Sequence, residues 1–159
     1  GLEYVRMDGE ATGFSGGLYP GGSNEPPQKH LNTGLDLAQH IIPLDRDGNP
    51  DPQNGQIGLL SLGMSNTAIE FGAFTQLAME DPQVNSQILF INGALSGATS
   101  DRWLNPDSEA WSRLANTVGP SGLQVQVAWV KLTQVQGGDF PQKAQSLQAD
   151  LVTIVQHLK

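Results

Sequence analysis

The chain has 159 residues, with 16 acidic against 8 basic side chains and a formal net charge of −8 at pH 7. That is one domain's worth of chain, long enough for a core of its own. An acidic chain without a Lys/Arg cluster is a poor partner for nucleic acid or anionic membrane, so both classes are set aside. Cysteine is absent, which removes disulfides and thiolate chemistry. No apolar run reaches membrane-spanning length. With 38% hydrophobic residues, 19 Gly and 10 Pro, the composition predicts extended loops around a compact centre, not a helical bundle. The first residue is Gly, which fits processing of a longer precursor and a cloning remnant equally. A secreted or periplasmic location is the expectation.

Residues 1–56 read as a long irregular, loop-rich segment packed on the regular domain beyond it. "GFSGGLYPGGSNEPP" carries too many turn residues for regular structure. A short helix is predicted across "LNTGLDLAQHII", where Leu31, Leu35 and Ala38 share a face. "PLDRDGNPDPQNG" then reads as a second loop. Its Asp45, Asp47, Asn49 and Asp51 alternate as calcium ligands do. The glycine is misplaced for an EF-hand and the twelfth position is Gln56, so a tight polar turn is the better reading.

Residues 57–159 are regular. "IGLLSL" is a short continuous apolar run, the pattern of a strand covered on both faces. "NTAIEFGAFTQLAM" places Thr67, Phe71, Phe74 and Ala78 at helical spacing, with the two Phe expected in the core. "QILFING" is a second buried strand. Asn105-Pro106 reads as a helix start, with Trp111, Leu114 and Val118 on one face of that helix. Trp103 and Trp111 are expected to pack at the core and its rim. "LQVQVAWV" is a third strand, and Pro141 opens a last helix with Ala144, Leu147, Leu151, Ile154 and Leu158 as its stripe. Alternating strands and helices predict right-handed crossovers and an α/β fold with a parallel sheet, strands near 57–62, 87–92 and 125–130. Ligands of such sheets sit beyond the carboxyl ends of the strands. Ser65, the "NGALSGATS" loop and the "KLTQVQGGD" loop are all predicted there.

Ser65 comes directly after the first strand. A tight turn at that point lifts a nucleophile clear of the sheet and aims helix N–H groups at it. An ordinary cap, with Ser65 or Asn66 bonding the first free amides, is the better reading on spacing alone. Gly-x-Ser-x-Gly fails because Thr67 holds its last position, and Gly-x-Gly-x-x-Gly after a strand is missing.

Gly63-Met64-Ser65-Asn66 after the first strand, and Asn92, Ser96, Gly97 and Thr99 in the register Asn-x-x-x-Ser-Gly-x-Thr after the second, resemble the SGNH (GDSL-like) hydrolases. The segments "GLYPGGSN", "PLDRDGNPD", "GMSNTAIEF" and "DFPQKAQSLQADL" are similar to a bacterial subgroup of SGNH-type proteins, from which no activity carries over. The resemblance implies a three-layer, flavodoxin-like parallel sheet over 57–159 and a serine esterase that needs no cofactor or metal. By the resemblance, Ser65 is the nucleophile, and the N–H groups of Ser65 and Gly97 hold the oxyanion. Such donors contribute about 3–4 kcal/mol each to transition-state stabilisation. A small ester or an acylated carbohydrate is the substrate class it suggests.

Three departures stand out. Met64 replaces the family's acid. Lys131-Leu132-Thr133-Gln134 replaces the Asn block after the third strand, leaving Gln134 as a candidate oxyanion donor, with Asn66 and Lys131 as candidate substrate contacts. No Asp-x-x-His block occurs, and a serine needs a base to be nucleophilic near neutral pH. His30 and His40 fall in the irregular region, and His157 in the last helix. The expectation is that these residues form the N-terminal portion of a larger hydrolase, completed by a further segment or a second chain. The competing expectation is a non-catalytic extracellular binding or structural protein on the same scaffold.

Overall fold

A computed structural model describes residues 3–135 and 138–159. The chain divides into two compact units, the first ending at Ile41 and the second running from Ile42 to Lys159.

In the first unit Glu3–Val5 (β1) pairs antiparallel with Ala11–Ser15 (β2), Glu3 opposite Ser15 and Val5 opposite Ala11. The turn rests on Asp8-Gly9: the Asp8 carboxylate accepts the Glu10 N–H at 3.1 Å, and Gly9 takes a φ of 88°. Asp-Gly between extended residues is a strong local hairpin signal. The flanking stretches are too short and too rich in glycine for period-two alternation to reveal them. Helix α1 spans Gln28–Ala38, beginning ahead of the predicted segment and ending inside it. None of its residues is buried; Leu31 and Leu35 are 40% and 55% exposed.

The second unit opens with a polar turn. Leu44 bridges to Pro50 and Gln56. Asp45 Oδ1 accepts the N–H groups of Asp47 and Asn49 at 2.9 and 2.8 Å. Asp51 Oδ1 accepts those of Gln53 and Asn54 at 3.2 and 2.9 Å. These carboxylates are thus engaged by their own backbone, as in Asx turns. The Asn49 N–H is the main reason the Asp45 carboxyl lies below its ordinary value of 3.8; desolvation opposes it, and the Asn49 side chain and the Asp47 and Gly48 amides add to it. Among the described residues no group of three or more His, Asp or Glu is placed to hold a metal ion.

Ile57–Gly63 (β3), Ile88–Asn92 (β4) and Val125–Lys131 (β5) form the sheet in the order β4-β3-β5, parallel throughout. Leu60 faces Ile91 on one side and Ala128 on the other. The predicted strands and their parallel pairing are therefore present. Between them lie α2 (Ser65–Glu80), α3 (Ser100–Leu104) and α4 (Glu109–Val118), with α5 (Gln142–His157) last. Alternate residues of β3 serve opposite faces, as strand geometry requires. Leu60 and Leu62 join Ile91, Trp103, Ala110, Leu114 and Ile154 in a buried cluster built with α3, α4 and α5. On the other face Phe71 of α2 stacks on Trp129, ring centroids 6.2 Å apart, and meets Phe90 edge-on at 6.4 Å.

Three sequence expectations need correction. Asn105-Pro106 does not start a helix: α3 ends at Leu104, the Asn105 carboxamide and carbonyl accept the N–H groups of Asp107 and Ser108, and α4 begins at Glu109. An Asx turn competes with the first helical turn for those same amides. Phe71 is buried, whereas Phe74, packed edge-on against Phe90 at 5.9 Å, remains 47% exposed. The stripe of α5 is also split. Ile154 is buried together with Asp150, while Leu147, Leu151, Val152 and Val155 line an outward groove of about 600 Å³. The Trp pair behaves as expected: Trp103 is fully buried and meets Trp111 edge-on at 5.1 Å.

Candidate functional site

The turn that carries Ser65 is built by its neighbours. A Cβ on Gly63 would collide with Thr67 Oγ1 and the Lys131 carbonyl, so only glycine lets β3 run into α2 here. Thr67, fully buried, closes the turn: its hydroxyl donates to the Lys131 carbonyl at 2.9 Å and accepts the Met64 N–H at 3.2 Å. Asn66 Oδ1 accepts the Thr67 N–H at 3.0 Å. Capping thus falls to Asn66 and Thr67. Ser65 is left exposed at the first position of α2, and its hydroxyl makes no hydrogen bond among the described residues. The first helical backbone bond runs from the Ala68 N–H to the Met64 carbonyl. The N–H groups of Ser65 and Asn66 have no acceptor among the described residues and form the positive end of a 16-residue helix.

The loop after β4 is tied to the same place. Its Gly93 N–H donates to the Ser61 carbonyl at 3.1 Å and its Leu95 N–H to the Gly63 carbonyl at 3.0 Å. Ser65 and Gly97 each lie two residues beyond that second bond. Gly97 is exposed with a φ of 71°, a left-handed conformation that favours glycine, and its N–H has no acceptor among the described residues. Asn92 serves the structure: its carboxamide accepts the Ser61 hydroxyl at 3.1 Å and donates to the Ala68 carbonyl at 3.0 Å, joining β3, β4 and α2.

The loop after β5 closes the set. The Ser100 N–H donates to the Thr133 carbonyl at 3.0 Å, and the Thr67 bond anchors Lys131. The three strand-end loops are therefore bonded to one another at the carboxyl end of the sheet. The two site roles drawn from this last loop find their groups already engaged. The Lys131 ammonium pairs with Glu70 of α2. The Gln134 carboxamide donates to Ser146 Oγ at 3.2 Å and Asp150 Oδ2 at 3.3 Å, and it has only two N–H groups to give. Its Oε1 is buried without a partner among the described residues. Gln134 thus points to α5. Part of the loop, Gln136 and Gly137, lies outside the described residues.

What sequence reasoning missed is the node that Gln134 joins. Asp150, 8% exposed, accepts the hydroxyl of fully buried Ser100 at 2.7 Å as well as the Gln134 amide. One buried carboxylate thus clamps the start of α3, the loop after β5 and α5. Its signal was an acidic residue one helical turn before Ile154, on the inward face of α5. Of the three histidines, His157 belongs to the unit that carries Ser65. His30, beside Tyr19 at 5.8 Å, and His40 belong to the first unit. His157 is about 10 Å beyond Asp150 along α5 at 1.5 Å per residue, edge-on to Trp111 and lining one cavity with Val125 at the start of β5. That is the opposite end of the strands from Ser65. No family model, curated protein or solved structure matches the chain, and the functional reading rests on this geometry and on the motif resemblance.

Proposed function

We propose that this chain is the nucleophile-bearing part of an SGNH-type serine ester hydrolase with a three-layer fold. The observation that carries the reading is the exposed Ser65 hydroxyl at the first turn of α2, unused by any cap, with the N–H groups of Ser65, Asn66 and Gly97 lacking an acceptor among the described residues. In this reading Ser65 attacks an ester carbonyl and its acyl group passes to the serine oxygen. The backbone N–H groups hold the negative charge that develops on the carbonyl oxygen. The alcohol leaves, and water then releases the acid. Gln134 takes no direct part in this reading, because its amide donors are committed to Asp150 and Ser146, whereas Lys131 meets Glu70 with one of its three N–H groups. The general base comes from outside the described residues, on a further segment or a second chain. Short acyl esters, including acylated carbohydrate, are the substrate class.

The test is Ser65→Ala in the complete protein. Hydrolysis of a short acyl ester is expected to fall to the weak level that oxyanion donors alone support, with the fold intact by circular dichroism. Unchanged turnover would overturn the reading. The isolated 159-residue chain is expected to be inactive for want of a base. Ser65-dependent turnover by it would overturn the expectation that the base comes from a further segment or a second chain. A second reading, a non-catalytic binding or structural protein on the same scaffold, is favoured by the engaged Gln134 amide and by Met64 in place of the family's acid. It predicts no turnover from the complete protein as well.

A further inference from the structure

We draw no further inference here: the strongest candidate, the outward apolar groove along α5 lined by Leu147, Leu151, Val152 and Val155, is an unpartnered helix face, and nothing in the structure shows what covers it.

Discussion

Two tryptophans show how unlike the two faces of the sheet are. Trp103 is fully buried beneath α4 and α5, its indole N–H donating to the Ala98 carbonyl at 3.1 Å. Trp129, on the opposite face, stacks on Phe71 yet stays 37% exposed. The strands are the same and the residue types similar. The difference lies in the cover: three helices close over Leu60, Leu62 and Ile91, whereas among the described residues of this unit α2 is the helix that lies over Phe90 and Trp129. Burial, not hydrophobic character, decides how much a side chain contributes, because the stabilisation scales with the apolar area removed from water.

The largest expected effect tests the covered face. Trp103→Ala removes a side chain with no exposed surface and leaves a cavity among tightly placed neighbours. The cost is expected to be about 3–5 kcal/mol, read as a shift of the urea midpoint. Ser100→Ala comes next, at about 1.5–3 kcal/mol, because it strips a charge-assisted bond from the buried Asp150 carboxylate. On the open face Trp129→Ala is expected to cost about 1–2 kcal/mol, since part of the ring is already in water. A Trp129 cost equal to that of Trp103 would break the comparison. It would mean that this face is covered in solution by something beyond α2.

The smallest effect lies outside both faces. The Asn49 amide holds the Asp45 carboxyl below 3.8, with lesser help from the Asn49 side chain and neighbouring amides. A depressed folded-state value means that the turn is supported above pH 3.8 and loses that support as pH falls through the lowered value. In an NMR titration, the Asp47 and Asn49 amide signals are expected to move together with the Asp45 carboxyl, below the ordinary carboxylate range. Movement centred above 3.8 would contradict the hydrogen bonding described.

Much of the candidate site is legible in the sequence. Ser65 and Gly97 stand out because each lies just past an apolar run and beside a glycine, and such punctuation is local. The carboxyl-end loops are expected to converge, and the Leu95–Gly63, Thr67–Lys131 and Ser100–Thr133 bonds join them. The surroundings of Gln134 are not legible in the sequence, for a physical reason. A carboxamide takes its role from what it faces, and the residue that faces it, Asp150, is 16 positions further along the chain. The hairpin at 3–15 escapes a sequence reading because strands of three and five residues offer too little pattern.

The sequence by itself determined the alternation of strand and helix from residue 57 onward, the parallel pairing that helical crossovers allow, and the break at Gly63 where strand gives way to helix. Those features arise from hydrophobic period, turn residues and backbone freedom, all of which act over a few neighbouring positions. Only the tertiary structure decided that the Thr67 hydroxyl is buried against the Lys131 carbonyl, 64 positions further along the chain. The same holds for the burial of Asp150 with Ser100 and for the split stripe of α5. Each of these turns on which group arrives from elsewhere in the chain to satisfy a hydrogen bond or exclude water, and no local pattern carries that information.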